Sequence, residues 1–176
     1  MNKIDPQKKF ISLNISIAVV SDSRNASSDK SGKVLEKKIL DSGHHVFSKV
    51  FIKDDEKKNI KYLNHCILTK EIDVVITTGG TGLTGRDSTP EAVKKVISKE
   101  IEGFGELFRM LSYKKIGTSA LQSRAIGGIK KRKFIFAIPG SPSACKDAWD
   151  LILKFQLDSR FRPCNLVELM DRLQEK

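Results

Sequence analysis

Four glycines fall within a short span, Gly79, Gly80, Gly82 and Gly85, and Arg86 and Asp87 follow at once. Backbone free of side chains exposes N–H groups that can wrap an anion, and Asp87 adds a hard oxygen ligand beside them. Thr89, Pro90 and Glu91 then read as a helix start, with Thr89 as N-cap, Pro90 at the first helical position and Glu91 in the first turn. The chemistry this suggests is phosphate binding, with amides and a helix N-terminus for the negative charge. Two more polar clusters stand elsewhere, Ser21-Asp22-Ser23-Arg24 and Pro139-Gly140-Ser141-Pro142, and an acidic pair stands at Asp54-Asp55. Taken singly, an Asp before a helix is most often a cap. Taken together, Asp22, Asp54, Asp55 and Asp87 could hold Mg²⁺, which uses one or two carboxylates plus substrate phosphates.

Other chemistries are excluded by what is missing. Gly80 to Gly85, GTGLTG, matches G-x-G-x-x-G literally, but Arg86 to Thr89 intervene before the helix. A dinucleotide fingerprint needs the helix to begin at once, in a first βαβ unit. No Lys-Ser or Lys-Thr pair follows the glycines, so the Walker form is absent as well. The cysteines, Cys66, Cys145 and Cys164, are odd in number and lack CxxC spacing, which argues against a disulfide framework and a zinc site. Adjacent His44 and His45 would point to opposite faces of a strand, and no Ser-His-Asp or Cys-His arrangement is visible. Cys145 reads as a small hydrophobe, and Phe104, Phe108, Met110 and Leu111 as core or subunit interface.

The elements that must position these groups follow from the apolar pattern. Asn14–Val20, His44–Ile52, Val74–Ile76 with two threonines, and Phe134–Ile138 read as strands; Gly127–Lys131 reads as a strand paired to the last of these around a basic tip. Helices are expected over Gly32–Asp41, from Asp54-Asp55 to about Lys70, over Pro90–Ser98, over Ile101–Tyr113 and over Ser143 to about Phe155, with a short helix or turn over Ser119–Ile126. Strands alternating with helices predict an α/β fold, a mostly parallel sheet covered on both faces. Ligands of such sheets gather at strand carboxyl ends. The SDSR, GGTG and PGSP loops all sit at such ends, and two of them repeat a capping residue followed by proline, Thr89-Pro90 and Ser141-Pro142.

The chain has 176 residues, with hydrophobic residues at 39% and charged residues at 30%. That is enough for one domain that buries roughly 70% of its unfolded surface. Residues 1–13 read as a polar extension and residues 14–176 as a single domain. No apolar run approaches the roughly 20 residues of a membrane span, and MNKIDPQKKF has no apolar signal core, so a cytoplasmic protein is expected. The net charge of +11 is scattered in lysine pairs; only KKRK, 130–133, makes a run, and no aromatic interleaves with it. This favours solvated surface over a nucleic-acid site.

TTGGTGLTGRDSTPEAV, EGFGELFRMLSYKKIGTSALQSRA and AIPGSPSACKDAWDLIL together resemble the MoaB/MogA family of molybdopterin-binding proteins, its molybdenum cofactor biosynthesis protein B branch above all, over about Ile15 to Asn165. The resemblance implies a three-layer αβα sandwich that forms homotrimers or homohexamers. It implies binding of molybdopterin and transfer of AMP from Mg-ATP to its terminal phosphate, with release of pyrophosphate. It also brings an alternative, a non-catalytic molybdopterin-binding auxiliary protein, and possible contacts with other proteins of that pathway. By position, Gly79, Gly80, Thr81 and Gly82 would line the pterin and phosphate pocket. Asp87 would orient substrate or metal, and Asp54 would be the second catalytic and metal-binding carboxylate, with Asp55 beside it the alternative. Arg86 would neutralise charge; Ser21, Asp22, Ser123, Arg124, Pro139, Gly140 and Ser141 would complete the walls.

Overall fold

The structure, a computed structural model, describes residues 3–175. In chain order its elements are β1 (Lys3–Ile4), β2 (Asn14–Val20), α1 (Ser31–Asp41), β3 (His45–Ile52), α2 (Glu56–Leu68), β4 (Val74–Thr78), α3 (Thr89–Val96), β5 (Lys99–Glu100), α4 (Glu102–Ile116), β6 (Ile126–Lys130), β7 (Lys133–Ile138), α5 (Pro142–Ala148) and β8 (Phe161–Arg162). The last long helix continues from α5 through a π-helical turn, Trp149–Leu153, into Lys154–Gln156. The segment after α4 is a 3-10 helix, Gly117–Gln122.

The main sheet has the order β3-β2-β4-β7-β6-β5. The strands β3, β2, β4 and β7 are parallel, while β6 runs antiparallel to β7 and β5 antiparallel to β6. This is the mostly parallel αβα sandwich expected. Every residue of β4 is buried, because side chains alternate between two cores. Val74 and Ile76 pack with Ile17, Phe136, Leu35, Phe108 and Trp149 on one face. Val75 packs with Leu63, Ala92, Val93 and Ile135 on the other. The N-terminal segment lies along the body: β1 pairs with β8, the Asp5 N–H donates to the Arg160 carbonyl at 2.9 Å, and Leu13 is buried.

Local expectations are corrected at several points. Thr89 is the first residue of α3 and not its cap; Ser88 holds the cap position and makes no side-chain cap bond. The capping group comes from another loop, since Asp54 Oδ1 accepts from the Ser88 N–H at 3.4 Å and from its hydroxyl at 3.3 Å. Sequence-local logic cannot see a cap supplied from more than thirty residues away. Ser141 does cap α5, accepting the Ala144 N–H at 3.1 Å. His44 precedes β3 and turns inward between Phe10 and Trp149, with its Nδ1 accepting the Leu13 N–H at 3.2 Å.

Burial pushes the His44 pKa down to about 4, with the Asp158 carboxylate opposing. Its ordinary value is near 6.5, so the unfolded chain takes up the proton first as pH falls. Stability from this group is complete above about pH 6.5 and is lost towards pH 4, by about 3 kcal/mol at most. Urea titrations across that window should show the fall, and His44→Asn, which keeps an acceptor, should flatten it.

Candidate functional site

The sheet register sets the site. Val19 pairs with Thr78, and Thr78 with Ile138, so β2, β4 and β7 end side by side. The next residues are Ser21, Gly79 and Pro139, the starts of the three polar loops. Gly79 donates its N–H to the Ile138 carbonyl at 3.1 Å, one step beyond the β4 ladder. Its φ is +105°, and a Cβ there would run into the Val20 carbonyl oxygen. Gly140 packs back on it so closely that a Cβ on Gly140 would lie 3.0 Å from the Gly79 Cα. Above this junction opens a polar cleft of about 450 Å³.

Ser21, Asp22, Asp54, Gly79, Gly80, Thr81, Gly82, Arg86, Asp87, Ser123, Pro139 and Gly140 all line that cleft. Residues from five separate connections therefore meet in one space. Arg24, Thr84 and Gln122 line it too, and were not among the candidates. Of these, Arg24 had a signal in the sequence, since it ends the SDSR loop after β2. Ser141 is not brought into the cleft. It lines a smaller neighbouring cavity, which shares Ser123 and Pro139 with the cleft.

The two central carboxylates are held differently. Asp87 closes a tight turn, accepting the Thr84 N–H at 2.9 Å and the Thr84 hydroxyl at 2.5 Å, and its own N–H donates to the Thr84 carbonyl at 3.0 Å. The Thr84 hydroxyl, with the Thr84 and Gly82 amides, holds its pKa below the usual carboxylate range. Asp54 is pushed the other way, first by burial and then by the Asp87 and Asp22 carboxylates, with only the Ser88 donors opposing. Asp55 points to its own helix, capping α2 through the Lys58 N–H at 2.9 Å. Asp54 and not Asp55 is therefore the carboxylate in the cleft.

The glycine loop is narrow because Gly80 lies over Asp54. Its φ is +62°, and a Cβ there would strike the Thr89 hydroxyl and come within 2.8 Å of both Asp54 carboxylate oxygens. Not every loop amide is free: Gly79 spends its N–H on Ile138 and Thr84 on Asp87. Those of Gly80 and Thr81 have no protein acceptor among the described residues. No group of three or more His, Cys, Asp or Glu among the described residues is placed to hold a metal by itself. A cation beside Asp54 and Asp87 would need oxygens from a bound phosphate.

Arg124 lies behind the loop and not in the cleft wall. Its Nε donates to the Thr81 carbonyl at 3.3 Å, its Nη2 to the Asp87 carbonyl at 2.7 Å, and its Nη1 pairs with Glu91. One planar guanidinium thus braces both ends of the loop against α3.

Residues 16–159 match the model of a family described as a probable molybdopterin binding domain. The chain belongs to the MoaB/MogA molybdopterin-binding family. Molybdenum cofactor biosynthesis protein B of Escherichia coli strain K12 is 45% identical over 157 residues, covering 89% of this chain and 92% of that one. The protein of the same name from Bacillus cereus is 45% identical over 138 residues, covering 78% and 82%. A crystal structure of a molybdenum cofactor biosynthesis protein B superposes with a TM-score of 0.83 at 42% identity, over 85% of this chain and 94% of that one. The family match ends at Asp158-Ser159, so the cleft-lining loops all lie inside it.

Arg124→Lys should leave the sheet intact and loosen the loop, since an ammonium cannot span both carbonyls and Glu91. Hydrogen exchange is expected to rise across residues 80–88 while β2, β4 and β7 stay protected, with a stability loss of roughly 1–3 kcal/mol.

Proposed function

We propose that this chain acts in molybdenum cofactor biosynthesis, binding molybdopterin in the glycine-loop cleft and joining AMP from Mg-ATP to its terminal phosphate. The observation that carries the reading is the meeting of Asp54 and Asp87 over the glycine loop, where Asp54 is partly buried, faces two other carboxylates and makes no ion pair among the described residues. Repulsion of that kind is costly unless a cation joins it. The residues present therefore fit Mg²⁺: Asp54 and Asp87 would hold it, and it would supply charge neutralisation to the reacting phosphates.

The chain's own residues do the rest by positioning. The nucleophile is the substrate's terminal phosphate oxygen, which attacks the α-phosphorus of ATP; pyrophosphate leaves, so no protein nucleophile is required. This accords with the buried Cys145, whose thiol is pushed up to about 11 by burial. The free amides of Gly80 and Thr81 would receive phosphate oxygens, and the Thr84 turn keeps Asp87 ionised. Asp54, raised by burial and repulsion, sets the acid limb of activity at a pH above that of an ordinary aspartate.

Incubation of the full chain with molybdopterin and Mg-ATP should release pyrophosphate. Asp54→Asn and Asp87→Ala should each lower that rate by about a hundredfold or more while molybdopterin binding stays measurable. Asp54→Asn should also stabilise the fold at neutral pH, because the raised pKa marks an ionised group the fold tolerates poorly. Absence of pyrophosphate in the unmutated protein, with binding retained, would convert the reading to that of a non-catalytic molybdopterin-binding protein.

We also propose a homo-oligomer, trimer or hexamer. The exposed face of α4 carries Leu107, Met110, Tyr113 and Ile116, each at least 38% exposed, a run of apolar surface that single chains seldom leave uncovered. Light scattering should give a mass of three or six chains, and Met110→Glu should reduce it.

A further inference from the structure

We propose that Arg24 is an anion-binding residue of the cleft and marks the end where the substrate's phosphate monoester rests without help from a metal. This rests on the molybdopterin reading above. Arg24 is half-buried in the cleft wall, and its guanidinium is anchored at one nitrogen only: Nη1 donates to the Gly140 carbonyl and to the Ser31 hydroxyl, each at 2.7 Å. Its Nε and Nη2 have no protein acceptor among the described residues, and no carboxylate there lies within 4.0 Å of it. The other cleft arginine, Arg86, is 83% exposed and stands 3.9 Å from Asp22. Arg24 is therefore the cleft's fixed and unpaired cation.

The topology makes the cleft electrically lopsided. The strand order β3-β2-β4-β7 places the loop bearing Asp54 on one flank and the loop bearing Gly140 on the other. Arg24 leaves the β2 end and reaches to Gly140, on the flank away from Asp54. Gly79 and Gly140 pack together there with no side chain between them, so the guanidinium, with Nε and Nη2 unspent, is the donor an anion would meet on this flank. A guanidinium offers a planar fork that suits phosphate oxygens, and held by Nη1 it loses little further freedom on binding. A phosphate carrying a cation would prefer the carboxylate flank; a bare phosphate monoester would prefer Arg24. The acceptor phosphate would then approach the metal-bound α-phosphate from the Arg24 side, with the reacting oxygen and phosphorus adjacent.

The test uses the full chain, inorganic phosphate as probe, and EDTA throughout. Phosphate should slow modification of Arg24 by phenylglyoxal, read by peptide mass spectrometry, and should not slow that of Arg86. Hydrogen exchange at residues 21–24 and 139–141 should fall with phosphate in the unmutated protein. Arg24→Gln should weaken phosphate binding at least tenfold, with Arg24→Lys restoring part of it. Ser31→Ala, which removes an anchor and keeps the charge, should cost less than Arg24→Gln. Equal labelling of Arg24 with and without phosphate would overturn the proposal, even if Arg24→Gln failed to fold. So would phosphate binding that survives in Arg24→Gln. Failure of adenylylation would leave the phosphate protection in place, so the two readings fall separately.

Discussion

The close approach of three parallel strand ends is the constraint on which the rest depends. Where β2, β4 and β7 finish together, the backbone of Gly79 lies against the Val20 carbonyl and under Gly140, with space for hydrogen alone. Because β4 is buried on both faces, it cannot slide to relieve that contact without exposing one core or the other. The cleft is thus an outgrowth of the sheet register. Its floor is rigid, and the loops above it start from fixed points.

On that floor, electrostatics and hydrogen bonding divide the work. Asp87 is satisfied by its own turn and remains ionised, while Asp54 is left between burial, two neighbouring carboxylates and a single cap interaction with Ser88. One carboxylate is stable as it stands, and the other is not relieved by any ion pair among the described residues. Behind them Arg124 ties Thr81, Asp87 and Glu91 together, so the loop is braced by contacts within the chain. This is preorganisation in a simple sense: donors and charges are placed by contacts that the ligand does not have to form.

Much of the fold is legible in the chain. Apolar runs such as Ile15–Val20, Val74–Ile76 and Phe134–Ile138 can only be strands of a sheet covered twice, and the glycine and proline punctuation between them leaves little choice about where helices begin. The cleft residues are legible as well, because glycines beyond the needs of a turn, next to carboxylates, have few other uses. Thr89 misleads for a physical reason. A Thr-Pro pair is a good local cap, but Asp54 arrives from a distant loop and occupies the role at Ser88, leaving the Thr89 hydroxyl buried without a partner. Arg124 misleads similarly, since a charged residue beside Ser123 reads as wall until its three partners show it turned away from the cleft.

Sequence alone determined the layering of helices on a mostly parallel sheet and the loops that carry polar groups. Each of these depends on periodicity, on residue type or on a local backbone requirement, all of which are written within a few positions of the chain. Only the tertiary structure decided which of Asp54 and Asp55 enters the cleft, that Ser141 stands outside it, and that Arg24 reaches across to Gly140. Those outcomes turn on the direction of a side chain between loops that are far apart in the chain, and that direction is set by strand order and register, which no local pattern encodes.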